Sequence, residues 1–320
     1  MQLNLPILDK LANSENILIA GAGGGFDIFS GLPIYFTLRE MGKNVHLANF
    51  SFTDLRLAGI ASEVEILIAE LLVGAKGNIR HPLQYLPEPY LAQWFKETQG
   101  EEVTIWMLAN TGGYPLTQAY EHLVKHLKID AIVLVDGGVD SLMRGDEIGA
   151  GTLVEDTLSL CAVRNLDVPV KILACIGFGT EVEEAVCHYN ALENMSALIK
   201  AGAFLGACAL APQMPAFQQF EAACRYVWEQ KDHHKSHIST RIIPAVRGEF
   251  GNYDMYKLNR GSVFVSPLMS LYWFFDANTV IKHNMLIDTL AETMTKEEAF
   301  RLVNAFVRRM NLRPRRNIPY

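Results

Sequence analysis

Carboxylates crowd one glycine-rich segment in the middle of the chain. Residues 136–151 read DGGVDSLMRGDEIGAG and directly follow the apolar run AIVLV. The segment contains four acidic residues that could bind a metal or exchange protons, and one arginine: Asp136, Asp140, Asp146, Glu147 and Arg144. Carboxylate oxygens are hard ligands that suit Mg²⁺ or Mn²⁺, and neighbouring carboxylates can divide acid and base roles. The other interpretation is a solvated polar loop in which Asp136 caps a turn.

Three more apolar runs end in glycine-rich turns. They read GAGGGFD at residues 21–27, NTGGYP at 110–115 and GFGTE at 177–181. Glycine lets backbone N–H groups approach a ligand closely, and the helix after each turn would point its positive end at the same place. We therefore expect the turns to form one ligand site. Its predicted lining is Gly21, Gly23, Gly24, Gly25, Asn110, Gly112, Gly113, Gly137, Gly138, Gly177 and Gly179, with Arg144 and Arg241.

The first of these turns has the position of a dinucleotide-binding loop but departs from its pattern. Phe26 stands where the third glycine or alanine is expected, and Asn49 stands where NAD-binding proteins usually offer Asp or Glu. Asp27 would also repel a pyrophosphate. A nicotinamide-dependent oxidoreductase is therefore disfavoured. The turn either packs a helix close to a strand or places Asp27 against a cation, an amine or a hydroxyl group.

A basic segment occurs late in the chain, at residues 232–249 (DHHKSHISTRIIPAVRGE). An arginine flanked by apolar residues, as Arg241 and Arg247 are, often meets a buried carboxylate or an anionic substrate. For Arg247 the other interpretation is a salt bridge with Glu249 or with a loop carboxylate. His233 and His237 would suit a metal pair if this segment were helical, but residues 236–240 are more strand-like, which favours a polar patch.

The order of the predicted elements explains how these segments could meet. Apolar runs predict strands at residues 16–20, 45–50, 103–109, 131–135 and 170–176. Helical spacing predicts helices at 26–41 (with a late start or a kink at Pro33), 63–73, 89–98, 116–128, 152–164, 181–200, 212–230 and 295–310. Strands are also predicted at 238–246 and 262–265. The alternation indicates a three-layer, Rossmann-like α/β fold with a mostly parallel, doubly wound sheet, which binds ligands at the carboxyl ends of its strands.

Composition and length limit the other possibilities. One α/β domain is predicted over residues 1–320, with regular strand–turn–helix units in 1–200 and a less regular part in 201–320 packed on the same sheet. A net charge of −7 gives no electrostatic reason to expect nucleic-acid binding. The N-terminus lacks a signal-peptide pattern, and the apolar segment 263–275 is too short to span a bilayer. Together with five scattered cysteines, these features predict a cytoplasmic protein without membrane contact.

The apolar segment 263–275 (VFVSPLMSLYWFF) also bears on self-association. Soluble monomers rarely expose large apolar patches, so this segment either completes the core or is covered by a partner. Two-fold symmetry is the commonest arrangement of identical subunits. We therefore predict a homodimer.

Three motifs together resemble a known family. GAGGGFDIFSGLP, VDGGVDSLMRGDE and HISTRI followed by VRGEFG are similar to the bacterial and archaeal domain-of-unknown-function family numbered 1152, over nearly the whole chain. The resemblance brings no established activity. It implies motif positions for Gly23, Gly24, Asp27, Asp136, Gly138, Asp140, Gly145, Glu147, Arg241 and Arg247. DGG followed by GDEIGAG also resembles the DGGNEIG stretch of glutamate-cyclase-like proteins, which act on small amino-acid substrates.

These features predict an enzyme that acts on a small polar or anionic metabolite. The expected reaction is hydrolysis, cyclisation or group transfer assisted by Mg²⁺ or Mn²⁺. The predicted catalytic residues are Asp27, Asp136, Asp140, Glu147 and Arg247, and the predicted metal ligands are Asp136, Asp140 and Asp146. The main alternative is a non-catalytic nucleotide- or metabolite-binding module, which needs donors and shape rather than converging carboxylates.

Two geometric expectations follow from the predicted fold. Asp27 and Asp136 should lie within about 12 Å of each other, because both follow strands whose ends line one crevice. At least one of the four acidic residues in 136–151 should be buried with a perturbed pKa, since crowded carboxylates cannot all ionise freely.

Overall fold

The computed structural model describes residues 5–181, 185–256 and 264–319. Within them, nine strands form one mixed sheet and two more form a short antiparallel ribbon. The strands are β1 (Asn16–Gly21), β2 (Asn44–Ser51), β3 (Val64–Ile68), β4 (Leu72–Ala75), β5 (Ile105–Ala109), β6 (Ala131–Asp136), β7 (Val170–Ile176), β8 (Phe204–Ala209), β9 (Gly251–Asn252), β10 (Phe264–Val265) and β11 (Leu271–Asp276).

Helices connect the strands and cover the sheet. They are α1 (Pro6–Leu11), α2 (Asp27–Ser30), α3 (Leu32–Glu40), α4 (Leu55–Ala61), α5 (Pro87–Trp94), α6 (Gly113–Leu127), α7 (Leu153–Arg164), α8 (His188–Lys200), α9 (Pro215–Trp228), α10 (Ser239–Arg247), α11 (Ala277–His283), α12 (Ile287–Leu290) and α13 (Lys296–Val307). A π-helical turn, Phe95–Gln99, extends α5. None of the helices in the described part of the chain is long and apolar enough to cross a membrane.

The strand order places a topological switch point at the centre of the sheet. The order is β3-β4-β5-β2-β1-β6-β7-β11-β8. The five central strands, from β5 to β7, are parallel, whereas β3, β4 and β11 run antiparallel to their neighbours. The chain moves outward from β1 to β2 and β5 and then continues on the other side with β6 and β7. The predicted Rossmann-like fold with a mostly parallel sheet is therefore confirmed.

Side chains of the central strands enter two hydrophobic cores. In β1, Ile17 and Ile19 belong to one core, whereas Leu18 and Ala20 belong to the other. Because successive side chains of a strand point to opposite faces, these cores lie on the two faces of the sheet. Helices on both faces explain why β1 and β6 are continuously apolar rather than alternating.

The helix predicted at residues 26–41 is interrupted, as its proline indicated. The chain forms α2 and α3 with Gly31 between them, and Pro33 lies in the first turn of α3. A proline is tolerated there because its missing N–H has no partner in the first turn of a helix. This break leaves Asp27 at the first residue of a very short helix.

The prediction of a helix at residues 63–73 is wrong. The segment forms β3 and β4, an antiparallel hairpin that turns at Glu70, where φ is +59°. Alternate positions of β3 carry the β-branched residues Val64, Ile66 and Ile68, so the same apolar residues fit a strand period. β4 also pairs with β5, and the hydrogen bonds of this pairing favour the strand over the helix.

The prediction of a strand at residues 238–246 is also wrong, because the segment forms α10. The Ser236 side chain accepts a hydrogen bond from the Ser239 N–H at 3.0 Å, and Gly248 ends the helix with a φ of +92°. A serine before a helix and a glycine after it are capping signals. The β-branched residues at 238–243 outweighed these signals in the sequence interpretation.

The apolar segment at residues 264–275 lies largely within its own chain. β11 pairs with β7 on one side and with β8 on the other, and Phe274 and Phe275 are buried. Residues 262 and 263, which belong to the predicted strand and the apolar segment, lie outside the described residues. Burial within the chain explains the apolar character, so the homodimer stays a prediction.

Candidate functional site

Carboxylates meet where three neighbouring parallel strands end. Asp27 follows β1, Asp136 is the last residue of β6, and Glu181 follows β7. Asp27, Asp136 and Asp156 each place one carboxylate oxygen within 4.8 Å of the other two, and so do Asp136, Asp140 and Glu181. The expected proximity of Asp27 and Asp136 is therefore confirmed. They flank the switch point, where ligands of open α/β sheets bind.

Backbone N–H groups hold Asp27 across the switch point. Its Oδ2 accepts a hydrogen bond from the Gly23 N–H at 2.7 Å, and its Oδ1 accepts one from the Gly137 N–H at 3.3 Å. A Cβ added at Gly137 would lie 2.8 Å from Asp27 Oδ1. Glycine at this position therefore lets the loop after β6 approach a carboxylate that follows β1.

Donors of the loop after β6 fix two further carboxylates. Asp136 Oδ2 accepts hydrogen bonds from the Ser141 N–H at 3.2 Å and from the Ser141 hydroxyl. Asp140 Oδ2 accepts hydrogen bonds from the Thr152 N–H at 2.6 Å and from its hydroxyl at 2.8 Å. Asp140 thereby satisfies a backbone donor at the start of α7, where the helix dipole favours negative charge.

The fourth carboxylate, Glu181, reaches the cluster from the loop after β7. Its Oε2 accepts a hydrogen bond from the Val139 N–H at 2.7 Å. A Cβ added at Gly138 would lie 2.2 Å from Glu181 Cδ, so only glycine leaves room for this carboxylate. The sequence prediction placed residue 181 in a helix, whereas α8 begins at His188.

Asp156 is the most deeply placed member of the cluster. It lies in the first turns of α7 with 0% of its surface exposed. Within the described residues, neither of its carboxylate oxygens has a hydrogen-bond partner. A Cβ added at Gly23 would lie 3.0 and 3.1 Å from these two oxygens. The carboxylate therefore sits directly behind the glycine turn that follows β1.

Burial and mutual repulsion raise the pKa of three carboxylates in this cluster. Burial raises the pKa of Asp136, and the negative charges of Asp140 and Asp27 raise it further. The pKa of Asp156 is raised by burial and then by Asp140 and Asp136. The pKa of Glu181 is raised by burial, by the charges of Asp140 and Asp136, and by a hydrogen bond with Asp140. The expectation of a buried loop carboxylate with a perturbed pKa is confirmed for Asp136.

A cavity of about 460 Å³ opens beside the cluster. Ligand cavities in proteins commonly measure about 300–1,000 Å³. Four of the five carboxylates line the cavity. The first glycine turn, three aromatic side chains and the polar segment at residues 233–238 form most of the rest of its lining. Its lining includes Gly23, Gly24, Gly25, Phe26, Asp27, Phe52, Tyr85, Asp136, Gly137, Asp140, Thr152, Glu181 and residues 233–238.

Aromatic rings and a histidine with a fixed proton shape one wall of the cavity. The rings of Phe26 and Tyr85 pack edge to face with their centroids 5.6 Å apart. The ring of Tyr85 lies nearly parallel to that of His233, with a centroid distance of 6.3 Å. His233 Nε2 accepts the Leu86 N–H at 2.9 Å, so Nδ1 donates to the His234 carbonyl at 2.8 Å. Burial lowers the pKa of His233 to about 4, which leaves the ring neutral. Both ring nitrogens of His233 form hydrogen bonds, so this histidine is part of the cavity wall and is not available as a metal ligand.

Two predicted acidic residues belong to a different cluster. Arg313, in the C-terminal tail, donates to Asp146 Oδ1 at 2.8 Å and pairs with Glu147 and Glu193. Glu147 also accepts the Arg144 and Gly145 N–H groups at 3.0 and 2.9 Å. Asp146, Glu147 and Arg144 are outside the lining of the cavity. Ion pairs with Arg313 instead connect their loop to the C-terminal tail.

The two predicted arginines have partners within the fold. Arg247 Nε donates to Glu221 Oε2 at 3.1 Å, and Arg225 holds the other oxygen of Glu221 at 2.7 Å. Burial opposes ionisation of Glu221, but the hydrogen bonds from Arg247 and Arg225 outweigh it and lower its pKa. Arg241 donates to the carbonyl of Thr180, next to Glu181. Neither Arg241 nor Arg247 lines the cavity.

Several predicted glycines serve packing between elements. A Cβ added at Gly112 would lie 2.3 Å from the Thr293 carbonyl oxygen, and one at Gly113 would lie 2.4 Å from the Leu290 carbonyl oxygen. The turn after β5 is thus covered by the segment after α12. The other predicted lining residues that are outside the cavity are Gly21, Asn110, Gly138, Gly177 and Gly179.

Two members of the cluster, Asp156 and Glu181, were missed by the sequence interpretation. Asp156 lies three residues after Leu153 and four before Leu160 in α7, so it occupies the apolar face of its helix. An acidic residue on an apolar face was the available signal. Glu181 is the last residue of the glycine turn GFGTE, which belongs to the predicted site. Its own position was predicted to be the start of a helix rather than part of the site.

The fold and cluster define an α/β protein of the Rossmann-like type with an acidic cavity at its switch point. The chain belongs to the family described as protein of unknown function (DUF1152), whose model matches residues 73–312. The family resemblance inferred from the sequence motifs is therefore confirmed over these residues, and the first motif, at residues 21–33, lies outside them. The matched region includes Asp136, Asp140, Asp156 and Glu181 but not Asp27. Neither the curated proteins nor the solved structures contained a match.

The raised pKa of Asp156 predicts an unusual stability change. In EDTA, we expect Asp156→Asn to raise the thermal midpoint relative to the wild type, with a gap that widens as the pH rises above about 4. The folded state retains a proton that the unfolded state releases near pH 4, so the stability contributed by Asp156 falls as the pH rises. Asparagine does not titrate and avoids this loss. Calorimetry at matched pH values measures the gap.

A neighbouring acid provides the control. Glu155→Gln removes an ion pair with Lys296, which lies 2.8 Å away, and should therefore not raise the midpoint. Histidines with lowered pKa values, such as His233, change stability in the opposite direction below about pH 6.5, but the comparison at each pH cancels them. An Asp156→Asn protein less stable than wild type at pH 8 would show that repulsion at this site is unimportant.

Proposed function

We propose that this protein is a divalent-cation-dependent enzyme that acts on a small anionic metabolite by hydrolysis, cyclisation or group transfer. The observation that carries the proposal is the convergence of five carboxylates at the switch point beside the cavity: Asp27, Asp136, Asp140, Asp156 and Glu181. Oxygen ligands from carboxylates are those that Mg²⁺ and Mn²⁺ prefer.

The spacing of the oxygens suits such a cation. Mg²⁺ binds oxygens at about 2.1 Å, so two ligands on opposite sides of the ion are separated by about 4.2 Å. The oxygens in each group of three lie within 4.8 Å of one another. Three protein ligands would leave other coordination positions for water or substrate. A cation held in this way can activate water or polarise a substrate oxygen.

The cavity lining supports an anionic substrate with a planar part. His234, Lys235 and His237 line the cavity together with the carboxylates. A negatively charged group could therefore contact both a cation on the cluster and a basic side chain. Phe26 and Tyr85 offer apolar ring surface for the remainder of the molecule.

The carboxylate cluster also favours catalysis over simple binding. A binding module needs donors and complementary shape, and buried acidic groups that repel one another reduce stability without improving the fit. Sites that carry such groups are commonly functional, because activity can require locally unfavourable interactions. A non-catalytic metabolite-binding module is therefore the second choice.

Metal binding should be visible in thermal unfolding. We expect Mg²⁺ or Mn²⁺ to raise the midpoint of the metal-free protein, because a ligand that binds only the folded state stabilises it by about 2.7 kcal/mol at a hundred times its dissociation constant. Asp136→Asn should abolish the rise, since Asp136 belongs to both groups of ligands. Differential scanning fluorimetry with a metal titration measures both.

The matched control lies in the same loop. Asp146 pairs with Arg313, so Asp146→Asn should keep the metal-dependent rise even if its starting midpoint is lower. The proposal fails if the wild type shows no rise, or if Asp146→Asn loses the rise while Asp136→Asn retains it.

The substrate class can be tested with inorganic phosphate. With Mg²⁺ present, we expect phosphate to raise the midpoint further, because the anion would contact the cation and a basic side chain. The added rise should shrink in Lys235→Ala and persist in Lys231→Ala, which changes an exposed lysine outside the cavity lining. An equal effect of phosphate without Mg²⁺, or no effect with it, would contradict an anionic substrate bound through the cation.

A further inference from the structure

The five carboxylates form two overlapping groups. Asp27, Asp136 and Asp156 make up one group, which we call the inner group. Asp136, Asp140 and Glu181 make up the other, which we call the outer group. Each group brings three ligand atoms within the span of one ion, and Asp136 is common to both. We propose that the site binds two divalent cations bridged by Asp136, an inference that rests on the proposed cation-dependent function.

Asp156 supplies an observation independent of the number of acids. Its side chain is fully buried, and neither oxygen has a partner within the described residues. The carboxylates of Asp136 and Asp140, by contrast, accept hydrogen bonds from Ser141 and Thr152. A charged carboxylate that is buried with neither oxygen hydrogen-bonded is strongly disfavoured, so a cation at the inner group would provide the missing partner.

When the five carboxylates are ionised, charge compensation favours more than one cation. Fully ionised, the five carboxylates carry a formal charge of −5. One divalent cation would leave about −3 in a buried site, whereas two would leave about −1, a charge that polar neighbours can balance far more easily. Paired cations in enzymes lie about 3.5–4 Å apart, a separation that a shared carboxylate can bridge.

The two positions have different access to the cavity. All three members of the outer group line it, whereas Asp156 of the inner group lies behind Gly23. The outer cation therefore contacts the substrate or the attacking water. The inner cation holds Asp136 and Asp27 in place and adds positive charge behind the reacting atoms. Asp156 thus acts as a ligand for a cation that does not touch the substrate.

The test is a count of Mn²⁺ ions by isothermal titration calorimetry, together with electron paramagnetic resonance. We expect two ions for each wild-type chain and an exchange-coupled spectrum, which requires neighbouring Mn²⁺ ions. Asp156→Asn and Glu181→Gln should each bind one ion without exchange coupling. Asp136→Asn should lose at least tenfold in affinity at both positions. Circular dichroism and thermal unfolding in EDTA verify that each variant is folded.

The outcomes separate this inference from the proposed function. One bound ion in the wild type, or two without exchange coupling, would overturn the paired site and leave a cation-dependent enzyme standing. An absence of Mn²⁺ binding would remove both. Two coupled ions that persist in Asp156→Asn would show that the inner group does not bind the second cation. The control Asp146→Asn should retain both ions, because Asp146 pairs with Arg313.

Discussion

Mutual repulsion among five carboxylates, four of them buried, is the constraint on which the rest of the site depends. Each carboxylate favours its charged form in water, but burial and the neighbouring charges raise the pKa of Asp136, Asp156 and Glu181. The fold accommodates this with backbone donors, with the start of α7 next to Asp140, and with glycines such as Gly23 and Gly138 that leave space for the acids. The negative charge that these features do not balance must be neutralised by bound protons or cations.

The parallel sheet explains why such an unfavourable cluster can persist. β1, β6 and β7 are buried on both faces and deliver their carboxyl ends to one edge. Their packing fixes the positions of Asp27, Asp136 and Glu181 independently of what the carboxylates prefer. The stability of the two cores therefore offsets an electrostatic cost at the edge, as is common at functional sites.

The sequence predicted the parts of the structure that depend on local pattern. Continuous apolar runs identified the central strands, and the glycine turns identified their common edge, so Asp27, Asp136 and Asp140 were correctly brought together. Local pattern failed where tertiary contacts decide. Residues 64–75 form a hairpin because β4 pairs with β5. Asp146 and Glu147 form ion pairs with Arg313, which lies in the C-terminal tail far away in sequence. Asp156 is hidden within an apolar helix, and no spacing in the sequence links it to Gly23.

A crystal structure of the protein soaked in Mn²⁺, with anomalous data collected at the manganese edge, tests the central claim most directly. The account predicts two anomalous peaks at the switch point, one among Asp27, Asp136 and Asp156 and the other among Asp136, Asp140 and Glu181, about 3.5–4 Å apart. Peaks confined to the surface, or beside Asp146 and Glu147, would contradict it.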